Sequence, residues 1–193
     1  MDLTVVTAPV AEPITTTEAK THCRVDSADD DTYIDTLIKS ARMWVERTHG
    51  LVCVNTTYDG SIDGFPFVDG AIVFPRYPLS SVTSITYHSE DLTTSTVFSS
   101  ASYQVDTRKR PPRVVIKNGS SWPADSLRLS SGVVVRFVAG YGAAASAVPE
   151  DIKHAVKLLV GQMYAHREPE VTNAALGKVQ FAVESLLAPH RLY

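Results

Sequence analysis

Residues 27–50 read SADDDTYIDTLIKSARMWVERTHG, and this stretch decides the fold. Ile34, Leu37, Ile38, Ala41, Trp44, Val45 and Thr48 recur at spacings of three and four, which lines them along one face of a helix about four turns long. Ser27 is its expected cap, and Asp29, Asp30 and Asp31 fall in the first turn, where the helix dipole favours negative charge. Arg47 and His49 stand at the end that favours positive charge, and Gly50 is a natural stop. A stripe of this length cannot bury itself. A second stripe runs through Ile152, Ala155, Val156, Leu159, Val160 and Met163, with Pro149 at the first helical position, Glu150 and Asp151 behind it, and Pro169 as the end. The two are expected to pack on each other.

Outward from these stripes the chain divides into three zones. Pro9 and Pro13 keep the N-terminal lead extended, and Thr15 stands three before Glu18, the spacing of a capping box, which predicts a short helix over about 16–23. A last short helix is expected over about 178–188, stopped by Pro189. Between the helical ends, short β-branched and aromatic runs are punctuated by Gly, Pro, Ser and Asp. They predict strands at Leu51–Tyr58, Ala71–Phe74, Val82–Tyr87, Ser95–Phe98, Tyr103–Val105, Val114–Ile116 and Val133–Val138. Alternation in Val82–Tyr87 favours a hairpin turning near Ser89-Glu90-Asp91. The expected fold class is α+β: a helical bundle from residues 1–50 and 141–193, with an inserted small antiparallel β lobe over 51–140.

Composition narrows the function. The 193 residues are 44% hydrophobic and 20% charged, which suits a globular chain able to bury a core without disulfides. The net charge of −3 argues against avid, sequence-independent DNA binding, which needs a basic footprint. The zones carry −4, +1 and 0, so the acid is concentrated in residues 1–50. No run reaches the roughly 20 apolar residues of a membrane span. Met1-Asp2 opens no basic, then apolar, leader, and Cys23 and Cys53 are expected as free thiols in a reducing cytoplasm.

Searches for chemistry find little. The six histidines form no His-Glu-x-x-His, and no Cys/His set has zinc spacing. The run Asp26–Asp31 fails the calcium-loop pattern, because its third position is Ala28 and its sixth is Asp31 where glycine is needed. There is no nucleophile elbow, phosphate loop or dinucleotide fingerprint. No catalytic residue, cofactor or metal is expected. One basic cluster stands out, Arg108-Lys109-Arg110-Pro111-Pro112-Arg113: either a contact to phosphate or to an acidic protein surface, or a solvated loop between strands.

An ordered set of residues carries a resemblance. It runs through Pro13-Ile14-Thr15, Glu18-Ala19-Lys20, Arg24-Val25-Asp26 and the acidic start of the long helix to Gly50. It continues at Phe74-Pro75-Arg76, Pro78-Leu79, Ser121-Trp122-Pro123 and Phe137-x-Ala139-Gly140-Tyr141-Gly142. It ends at Val148-Pro149, Tyr164, Arg167-Glu168 and Leu186-Leu187-Ala188-Pro189-x-Arg191. In this the chain resembles the head–tail connector (adaptor) proteins of long-tailed bacteriophages and gene transfer agents.

The resemblance implies a structural, non-enzymatic virion protein made in the host cytoplasm. It implies a homo-oligomeric ring, usually of twelve copies, beneath the portal protein. Such a ring extends the channel for double-stranded DNA without sequence-specific binding and docks the next connector, stopper or tail component. It also points to the C-terminal segment as a contact to the portal or a neighbouring copy, here Phe181, Leu186, Leu187, Arg191 and Tyr193. The same helix would equally serve as a cap on the subunit's own core. A stopper or tail-terminator ring is the alternative within the same particle, and an unrelated soluble α+β enzyme or binding domain is the alternative outside it.

Overall fold

The computed structural model describes residues 1–66, 70–91, 93–167 and 173–191, with the backbone alone for 173–179. The chain divides into two compact units, one of Met1–Pro9 and Asn55–Gly140, the other of Val10–Val54 and Tyr141–Arg191.

The second unit is helical. Helix α1 spans Thr16–Cys23 and opens on the predicted capping box: Thr15 Oγ1 accepts the Glu18 N–H, and Glu18 accepts the Thr15 N–H at 2.8 Å. It closes on Arg24 in the left-handed region (φ 58°), while the Val25 N–H reaches back to Lys20 O at 3.0 Å. Helix α2 spans Asp31–His49 and stops at Gly50, whose φ of 69° suits a residue without a side chain.

The start of α2 differs from the expectation. Ser27 caps no helix; its hydroxyl and the Asp29 carboxylate meet at 2.5 Å, and the Asp29 N–H bonds Ser27 Oγ. This local turn competes with the helix and delays it to Asp31. Asp30, in the cap position, turns its carboxylate to Tyr164 and Arg167.

Helix α3 spans Glu150–Ala165 and α4 spans Asn173–Leu187. Pro149 sits at the N-cap of α3, one place before the expected first position. Pro169 lies outside the described residues. The core joins Ile34, Ile38, Ala41 and Val45 of α2 to Ile152, Val156 and Val160 of α3, and Val183 and Leu187 of α4 close it. Trp44, read as part of the stripe, is half-buried at the core's margin, with its ring 6.0 Å from that of His49.

The other unit holds two antiparallel sheets. Five strands lie in the order β1-β2-β8-β4-β5, with β1 at Asp2–Thr7, β2 at Thr56–Ile62, β4 at Leu79–His88, β5 at Ser95–Val97 and β8 at Val133–Ala139. Three more lie in the order β3-β7-β6: β3 at Ile72–Val73, β6 at Tyr103–Asp106 and β7 at Arg113–Ile116.

Strand β8 is central and alternates cleanly. Val133, Val135, Phe137 and Ala139 are buried, while Arg136 faces out and forks onto Asp59 of β2 at 2.7 and 2.8 Å. Phe137 stacks on Tyr58 at 5.5 Å and meets the edge of Phe74 at 4.8 Å. The lead before Pro9, placed with the helices in the sequence reading, forms β1 and pairs with β2. A Cβ at Gly60 would stand 2.6 Å from Met1 Sδ, at the flexible end of a side chain that can move aside, and 3.3 Å from Phe137 Cε1.

Candidate assembly surfaces

The C-terminal segment splits into a packed side and an open side. Leu187 is wholly buried in the helical core, and Leu186 packs half-buried against it. Phe181 is 74% exposed on α4. Arg191 is exposed and pairs with Glu184, so it ties the chain end back to α4. Tyr193 lies outside the described residues. Of the predicted contact residues, Phe181 and Arg191 therefore offer side-chain surface, and Leu187 serves the core of its own subunit.

Two links fix this end. His190 Nδ1 meets the Tyr141 hydroxyl at 2.9 Å, and its Nε2 meets Asp151 at 2.6 Å in the first turn of α3. Partial burial works against ionising Asp151, yet the His190 bond and the Ile152 N–H hold its carboxyl below the usual range. His49 is buried behind Glu184, with Nε2 at 3.4 Å from the carboxylate and Nδ1 at 3.3 Å from Val45 O. Burial, reinforced by nearby Arg191, pushes the imidazole down despite the Val45 contact and so favours its neutral form. Arg191, not His49, is the cation that balances Glu184. The His190–Asp151, Tyr141–His190 and His49–Glu184 contacts have no local sequence signature, because their partners lie 39, 49 and 135 positions apart.

The basic cluster forms the turn of the β6–β7 hairpin. Asp106 faces Arg113 across the hairpin, accepts the N–H groups of Arg108 and Lys109 at 3.3 Å each, and pairs with Arg113 Nε at 3.5 Å. Pro112 is buried, and its carbonyl accepts the Phe74 N–H at 2.9 Å. Arg110 lies over the Tyr77 ring at 4.3 Å and donates to the Tyr77 hydroxyl at 2.9 Å. Arg108 and Lys109 are exposed, and neither has an ion-pair partner among the described residues. The four cations are thus not equivalent: Arg113 is balanced, Arg110 is pinned, and two are open.

Among the described residues no three His, Cys, Asp or Glu side chains stand together as metal ligands, and no described helix is long and apolar enough to cross a membrane. A cleft of about 700 Å³ in the β unit is lined by Phe65, Trp122 and others of residues 115–125, and among the described residues Lys117 and Asp125 are its charged side chains.

Residues 13–102 match the family of phage gp6-like head-tail connector proteins. The matched span contains α1, α2 and strands β2–β5, and leaves out β1. A search of curated proteins finds no match. Among solved structures the chain is similar to a subunit in the neck of an empty GTA particle computed with C6 symmetry. The TM-score is 0.80 at 23% identity, covering 96% of this chain and 95% of that one. It is also similar to a chain of the virion of the native gene transfer agent (GTA) particle, with a TM-score of 0.77, 23% identity and coverage of 96% and 95%. A third likeness is to a chain in the neck of the native GTA particle computed with C12 symmetry, with a TM-score of 0.74, 23% identity and coverage of 96% and 94%. The two-unit fold is that of these chains from end to end.

Proposed function

We propose that this chain, which matches the phage head-tail connector family over residues 13–102, is the adaptor subunit of a tailed phage or related particle. The observation that carries the reading is the end-to-end likeness to neck subunits, with a TM-score of 0.80 over 96% of the chain. The likeness reaches α3 and α4, beyond the family match, and so supports extending the reading to the whole chain. Copies assemble as a ring beneath the portal, closed by head-to-tail contacts. The ring continues the DNA channel and presents a docking surface to the next connector or tail component. A net charge of −3 suits a wall that duplex DNA slides past.

The portal-side contact is assigned to the C-terminal segment. Phe181 is its apolar element and Arg191 its charged one, both on the open side of α4 and the turn that follows it. Leu186 and Leu187 hold that surface in place from within.

The test is native mass spectrometry of the chain titrated into the portal ring of the same particle. Saturation at one subunit per portal subunit supports the adaptor. Binding to a tail component with no binding to the portal moves the chain one step down the connector, to a stopper or tail-terminator ring. Binding to neither removes the reading.

A further inference from the structure

We propose that the tip of the β6–β7 hairpin, Arg108 and Lys109, docks on the acidic start of α2 in the neighbouring copy of this chain. The inference rests on the ring reading above and names one contact that would close the ring.

The tip is built before any partner arrives. Asp106 fixes the turn from below through two N–H groups and the Arg113 guanidinium, Pro112 is buried, and Arg110 is held on Tyr77. The two remaining cations extend from a backbone that is already ordered, so the entropy lost when they meet a partner is that of the side chains alone.

The complementary surface lies on the same chain. Asp30 is occupied by Arg167 and Asp31 by Lys20. Asp26, Asp29 and Asp35 are exposed, and none has a cation within ion-pair distance among the described residues. A cyclic ring joins two different surfaces of one chain, head to tail. Residues 51–140 carry a net +1 and residues 1–50 a net −4, so the charge is separated as such a contact requires. Duplex DNA is the competing partner for the two cations. It is disfavoured because so few charges neutralise few phosphates, and no exposed aromatic side chain flanks them on the turn.

Zero-length carbodiimide cross-linking of rings assembled on the portal, from a mixture of unlabelled and nitrogen-15 subunits, tests this directly. The expected product is a mixed-isotope link between Lys109 and Asp26, Asp29 or Asp35. The R108E/K109E chain should fold with an unchanged thermal midpoint and need about tenfold more protein to form the ring. Adding D26K and D29K to that chain should restore assembly. Rings that form normally from R108E/K109E, or a Lys109 link to the portal, overturn the contact. So does protection of Lys109 by duplex DNA with ring formation intact. If the unaltered chain forms no ring on its portal, the adaptor reading itself fails and this contact goes with it; a defect confined to the variants separates the two cases.

Discussion

Glu46 of α2 accepts the backbone N–H of Cys53 at 3.0 Å with one carboxylate oxygen and takes Arg42 at 2.9 Å with the other. Arg42 in turn holds Glu12 at 2.7 Å. One buried carboxylate therefore satisfies the bend that leaves α2 and joins it to the lead into α1. Removing it leaves a buried N–H and a largely buried guanidinium each short of a partner. Glu46→Ala should lower stability by about 3 kcal/mol, and Glu46→Gln by less, since an amide oxygen can still accept from Cys53. Urea midpoints of the two variants check this order.

Acid should lower the protein's stability over two pH ranges. His22, His49 and His88 are all pushed down, first by burial, and then by His154 and Lys157, by Arg191, and by Arg128 respectively. A histidine kept neutral in the fold takes up its proton earlier in the unfolded chain. Its contribution is complete above the ordinary value of about 6.5 and is lost as pH falls below it toward the folded value. Asp30, bonded by Tyr164 and Arg167, and Asp59, bonded by Arg136, are held low. Their contribution is present above the ordinary carboxylate range and is lost as pH falls below about 4. Thermal midpoints from pH 7 to 3 should show both declines, and His49→Gln should flatten the first.

The helices were legible where their signals are local. The capping box at Thr15 and Glu18 spans four residues and appears in full. The α2 stripe and Gly50 gave the body and end of that helix. Its start was misread because Ser27 satisfies Asp29 instead of the helix, a choice that identity alone does not disclose. Strand β1 was missed as a strand because Asp2 pairs with Ser61 and Leu3 with Gly60, partners nearly sixty positions away. The C-terminal surface was half legible. Spacing marks Leu187 and Phe181 alike as apolar, and the packing of α4 sends one inward and leaves the other out.

Phe137 is the test of the β unit's core. It is fully buried, flanked by Tyr58 and Phe74, and central to the five-stranded sheet. Phe137→Ala removes the contacts of both rings and should cost about 3–5 kcal/mol. The loss should appear first in the amide exchange of β2, β4 and β8, read residue by residue.

The two thiols should differ sharply in reactivity. Burial pushes Cys53 well up, and Glu46 adds to it, while half-buried Cys23 is raised by burial alone. The thiolate is the reactive form, so the folded chain should take one equivalent of an alkylating reagent, at Cys23. Cys53 should react only at the rate of unfolding. Equal labelling of both in the native protein would mean that the end of α2 opens freely.

Phe181 separates folding from assembly. Val183 and Leu187 face the core from α4, and Phe181 projects away from them at 74% exposure. An isolated subunit gains little from an exposed phenyl ring, so Phe181→Ser should leave the denaturant midpoint within about 0.5 kcal/mol of the parent. A phenyl ring buried on docking is worth roughly 1.5–3 kcal/mol, a factor of ten or more in affinity. The same variant should therefore need at least about tenfold more protein to saturate the portal in native mass spectrometry. Leu187→Ala should do the reverse, destabilising the subunit by about 2–5 kcal/mol and weakening docking only through that loss. If Phe181→Ser docks as the parent does, the C-terminal helix is a cap on its own core, and the portal contact lies elsewhere on the chain.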